Sequence, residues 1–112
     1  MRADMDDERL ADAPSAADTA PELIADPQLT ARIIRSFIRD GRLTNIPSRE
    51  KRRLVIYRYL RDQVFTEDRA YEEREVNMRL ALFHPDVATI RRGMVDAGLV
   101  TRDAGWYRRG AD

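Results

Sequence analysis

The C-terminal stretch constrains the fold most. Leu99-Val100-Thr101-Arg102 is β-prone, Asp103-Ala104-Gly105 is a turn, and Trp106-Tyr107-Arg108-Arg109 is β-prone again. Two such runs about a glycine-containing turn predict a β-hairpin. What comes before is patterned at helical spacing, so the chain is read as a helical body closed by a hairpin.

A first helix is expected from Asp26-Pro27, with aspartate as cap and proline at the first helical position. Leu29, Ile33, Ile34, Phe37 and Ile38 then form one apolar stripe. Asp40-Gly41 is expected to end that helix, because glycine tolerates a left-handed cap. Residues 41–47 are too short for a helix, with room for a short strand at Leu43. Ser48 is expected to cap a second helix running to about Val64. Its apolar residues, Leu54 to Tyr57, Tyr59, Leu60 and Val64, cover a wide arc, which predicts a central helix packed on several sides.

Phe65–Tyr71 reads as a turn, and Glu72–Leu82 as a third helix burying Val76, Leu80 and Phe83. His84-Pro85 breaks it, since the residue before proline avoids helical geometry. Pro85 is then expected to open a fourth helix, with His84 as cap and Val87, Ile90, Met94 and Val95 facing inward. Gly98 stops it. The fold class expected is mostly α with a small β-hairpin: a winged helix-turn-helix preceded by an extra N-terminal helix and a disordered acidic tail. Residues 86–97 would be the recognition helix and 101–108 the wing. The division expected is residues 1–22 as tail and 23–112 as winged-helix domain.

The 112 residues amount to one domain's worth, and 43% hydrophobic residues suffice for a modest core. The formal net charge of zero hides an asymmetry. Residues 1–27 hold eight acids and two bases, and residues 28–112 hold 18 bases and 12 acids. Residues 1–22 are rich in Ala, Asp, Pro and Ser, and bury too little to offset ordering entropy. Lys51 is the single lysine; the other bases are arginine, whose planar fork suits phosphate. With no cysteine there is no disulfide, thiolate metal site or cysteine catalysis. No secretory signal opens the sequence, and no apolar run approaches the roughly 20 residues of a membrane helix. A cytoplasmic protein without membrane contact is the expectation.

From Ser36 to Arg108 the chain resembles a bacterial family of unknown function, DUF2087. The resemblance is carried by Gly41-Arg42-Leu43-Thr44-Asn45-Ile46-Pro47, Glu75-Val76-Asn77, Phe83-His84-Pro85-Asp86-Val87-Ala88-Thr89-Ile90-Arg91-Arg92 and Val95-Asp96-Ala97-Gly98-Leu99. Arg102, Gly105 and Tyr107 complete it. It implies a winged-helix domain, found in some proteins joined to bacterial metal-sensor-type regulators. No second domain for sensing an effector is expected in this chain.

Several residues are candidates for contacting nucleic acid. Arg92 is expected to point outward from the fourth helix, where it can reach guanine edges or phosphate. Arg91 lies at the edge of the buried face, where pairing with Glu72, Glu73 or Glu75 competes with that role. Thr89 shares the outward surface with Ala88. Arg49, Lys51, Arg52 and Arg53 stand near a helix start, where amide groups also favour phosphate. Arg102, Arg108 and Arg109 would supply the wing. Salt-bridged, solvated faces are the commoner fate of such runs. His84 lacks companions for a metal site or for general acid–base catalysis. No catalytic, cofactor or metal residues are expected. Trp106 and Tyr107 divide between closing the core and flanking the wing.

The favoured function is duplex-DNA binding in a transcriptional regulator, as a homodimer or with a partner subunit, with the acidic tail competing for the basic face. The alternative is a non-catalytic winged-helix module that docks proteins, since fold does not dictate function.

Overall fold

The structure is a computed structural model that describes residues 26–110. The expected tail, residues 1–22, and the boundary at residue 23 lie outside the described residues. The elements run α1 (Pro27–Phe37), β1 (Ile38–Arg39), β2 (Arg42–Leu43), α2 (Glu50–Val64), β3 (Tyr71–Glu72), α3 (Glu73–Ala81), α4 (Val87–Asp96), β4 (Val100–Asp103) and β5 (Trp106–Arg109). The described chain is thus mostly helical, with two small antiparallel sheets.

Asp26 caps α1 as its position suggests, accepting from the amides of Gln28 at 3.0 Å and Leu29 at 3.2 Å. The helix stops earlier than its apolar stripe. Ile38–Arg39 pairs with Arg42–Leu43, and Asp40-Gly41 is the turn between them rather than a helix cap. Both turn residues have left-handed backbone, φ 54° and 77°. A two-residue Asp-Gly loop of that kind matches the natural twist of a hairpin. Leu43 is then buried, its amide donating to the Phe83 carbonyl at 2.9 Å. Beside it the Arg42 guanidinium donates to the Leu82 carbonyl at 2.9 Å. The small hairpin is thereby fastened to the segment between α3 and α4.

Ser48 does not cap α2. The cap position is Arg49, whose side chain does not cap the helix amides. The preceding loop is held instead from inside the helix: the Arg53 guanidinium donates to the carbonyls of Pro47 at 3.2 Å and Ser48 at 2.8 Å. As its wide apolar arc predicts, α2 is central. It buries Val55, Ile56, Tyr57, Leu60 and Val64 and packs against α1, α3 and α4. It also buries Arg61, whose Nε donates to Asp62 at 3.0 Å while Asp62 receives Arg109 of β5 at 2.8 Å.

The expected turn at Phe65–Tyr71 ends in a strand. Tyr71–Glu72 pairs antiparallel with β5, so the terminal hairpin is part of a three-stranded sheet ordered β3-β5-β4. Tyr71 is fully buried edge-on to Phe65, with ring centroids 5.0 Å apart, and the Arg69 guanidinium lies 3.7 Å over its ring. Arg69 in turn bonds Glu67 and Glu75, each at 2.8 Å.

α4 opens two residues later than expected, at Val87 rather than Pro85. Its cap is Asp86, which accepts from the Thr89 amide at 3.2 Å; His84 accepts from the Asp86 amide through Nδ1 at 3.0 Å. The carboxylate reaches the free amides of the first turn, whereas the imidazole serves the cap residue's own amide. Ile90 and Met94 of α4 join Val76 and Leu80 of α3 and Val100 and Tyr107 of the sheet in one core. Among the described residues no helix is long and apolar enough to cross a membrane.

Candidate nucleic-acid interface

The N-terminal half of α2 and the outer side of α4 enclose an open groove of about 670 Å³. Its position follows from a glycine. Gly93 lies within α4, where a glycine costs about 1 kcal/mol relative to alanine. A Cβ there would stand 2.3 Å from Cε2 of Tyr57. The absence of a side chain lets the Tyr57 ring lie against the backbone of α4. That contact sets how closely the two helices approach, and the groove is the cleft above it.

Lys51 and Arg53 line the groove from α2, and Thr89 and Arg92 line it from α4. Leu54, Tyr57 and Ala97 give it an apolar floor, and Glu50 and Asp96 place two carboxylates beside the three cations. Burial pushes the Tyr57 hydroxyl above its ordinary value, against the pull of nearby Arg53. It therefore stays protonated and able to donate. Asp86 is held below its ordinary value, first by its bonds from Thr89, then by His84 and Arg92.

Four of the residues singled out from sequence meet in one place: Lys51, Arg53, Thr89 and Arg92. They are not equally available. Thr89 and Arg92 are exposed and Lys51 is half-buried, whereas the Arg53 guanidinium is engaged with loop carbonyls. Arg52 lies outside the lining of the groove.

The other arginines are tied into the protein. Arg91 bonds the Asn77 carboxamide and lies 3.8 Å from the Glu73 carboxylate, with its side chain only 14% exposed. Arg102 donates through Nε to the Tyr107 hydroxyl at 3.1 Å. That hydroxyl donates to Glu73 at 2.7 Å. The bond from Tyr107, and next the charge of Arg91, hold the Glu73 carboxyl below its usual value, while desolvation opposes them. Arg108 reaches Asp68 at 3.3 Å. Glu73 therefore ties α3 to both α4 and the terminal hairpin.

Tyr57 and Gly93 are not marked as site residues by the sequence, whereas Glu73 is one of the three acids expected to compete for Arg91, and it is the one that Arg91 faces. A glycine amid helical periodicity was the available signal for the first two, since it marks close approach by a neighbour. Nothing local distinguishes Glu73 from Glu72 and Glu75. Among the described residues no group of three or more His, Asp or Glu side chains is placed to hold a metal ion.

The bacterial family described as "Uncharacterized protein conserved in bacteria (DUF2087)" matches residues 42–109. The chain belongs to that family, whose matched region runs from β2 to the end of β5. No curated protein and no solved structure matches it.

Proposed function

We propose that residues 50–109 form a winged helix-turn-helix that binds duplex DNA through α4, in the manner of a transcriptional regulator. Support for the winged helix is the connectivity. A helix, a short strand, two helices and a hairpin follow one another, and the short strand β3 pairs with the last strand, β5. α4 takes the recognition position, and β4 with β5 is the wing.

Exposure of Thr89 and Arg92 on α4, in the same groove as Lys51, carries the DNA reading. An outward arginine on such a helix suits guanine edges or phosphate, and a neighbouring ammonium suits the adjoining phosphate. The wing contributes less than its composition suggests, because Arg102 and Arg108 are engaged with Tyr107 and Asp68.

The test is a titration of labelled genomic fragments at low salt with the full chain and with Arg92→Glu. The native chain is expected to bind and the variant to lose about 1–3 kcal/mol of affinity, the scale of one arginine contact. Equal binding by both proteins would reject the assignment of α4.

A protein-docking role is the second reading. Met78 of α3 and Leu82, the residue that follows its last turn, are 64% and 67% exposed. Absence of DNA binding at low salt, with loss of a co-purifying protein on Leu82→Glu, would favour it.

A further inference from the structure

The outer face of the three-stranded sheet carries the opposite charge to the cations of the groove. Trp106, the single tryptophan of the sequence, lies on the central strand β5 and is 48% exposed. The register sets Glu72 of β3 directly opposite it on one side and Asp103 of β4 directly opposite it on the other. Residues paired in this way project from the same face, with Cβ atoms about 4.5–5.5 Å apart. Tyr71 and Tyr107 alternate into the core, which fixes the Glu72, Trp106 and Asp103 face outward. Both carboxylates are exposed, and neither makes an ion pair or side-chain hydrogen bond among the described residues. Further along that face Arg108 leans onto Asp68.

An indole face attracts a cation more strongly than any other aromatic side chain does. Here it is flanked by two carboxylates whose needs are unmet within the fold. We propose that this face is a docking surface for an arginine-bearing segment of a partner protein. The guanidinium stacks on Trp106 while its fork meets Glu72 or Asp103. A planar guanidinium satisfies both demands at once, where an ammonium offers only a point charge. The same carboxylates repel phosphate, so this is a surface for a basic peptide and not for nucleic acid. It stands on β3, β4 and β5 and does not depend on DNA binding by the groove.

Because Trp106 is the sequence's single tryptophan, its emission reports on the surface directly. The full chain is titrated with an acetylated, amidated tetra-arginine peptide, and in parallel with the tetra-glutamate peptide. A saturable change in emission is expected with the first and none with the second. The double variant Glu72→Gln, Asp103→Asn, with its circular dichroism unchanged, is expected to need several-fold more arginine peptide for half-saturation. A response equally strong in that variant, or no saturable response in the native chain, overturns the proposal. Emission that depends on protein concentration alone, with a doubled sedimenting mass, would put a second copy on this face and overturn it too.

Discussion

Gly93 and Tyr57 show how one side chain's absence organises its surroundings. Replacing Gly93 with alanine improves helix propensity by about 1 kcal/mol. It also drives a methyl group to within 2.3 Å of the Tyr57 ring. Overpacking of that kind commonly costs about 1–3 kcal/mol, so the clash wins. Gly93→Ala is therefore expected to lower the urea midpoint, and to be neutral or stabilising in a Tyr57→Ala background. Equal destabilisation in both backgrounds would separate the glycine from the tyrosine. The same contact shows what spacing alone conveys. That α4 turns Ile90 and Met94 inward and Arg92 outward is legible in the sequence, because helical periodicity fixes direction. That Arg91 bonds Asn77 and Arg102 bonds Tyr107 is not, because those partners lie 14 and 5 residues away and meet only once the elements pack.

Among elements, legibility depended on whether local chemistry decides the outcome. Asp26-Pro27 starts α1 by capping alone, and α2, α3 and α4 follow their apolar periods. Asp40-Gly41 suits either a helix end or a hairpin turn. The choice between them was made by Leu43, which needs the hairpin to reach the core and the Phe83 carbonyl. β3 has only two residues, too few for any alternation, and exists because β5 offers it an edge. The joint between these elements is electrostatic. Glu73 receives Tyr107 of the hairpin and faces Arg91 of α4, and both favour its charged form. A carboxyl with a lowered folded value stabilises the fold at pH above its unfolded value, near 4.3. That contribution is lost as pH falls through the lowered folded value. Asp86, lowered by Thr89, acts with the same sign. Thermal melts are therefore expected to fall below about pH 4, and Glu73→Gln is expected to flatten part of that decline. An unchanged acid limb in the variant would contradict the role given to Glu73.

On the scale of the whole molecule, pairing within the fold decides which charges are available. Residues 26–110 hold 18 bases and 12 acids, yet Arg53, Arg91, Arg102, Arg108 and Arg109, all candidates for DNA, are bound up with other residues of the fold. What remains on the groove is a compact set, Lys51, Thr89 and Arg92, while Glu72 and Asp103 flank Trp106 on the sheet. Counting bases therefore overstates the interface, and their partners decide which of them can meet a phosphate. Amide and side-chain resonances followed as random-sequence duplex DNA is added at low salt test the interface most directly, since non-specific binding is electrostatic and needs no known operator. Perturbations concentrated at residues 50–57 and 89–97 and reversed by added salt are the expected outcome. Spectra unchanged at low salt, or shifts centred on Glu72, Asp103 and Trp106, would contradict DNA binding through α4.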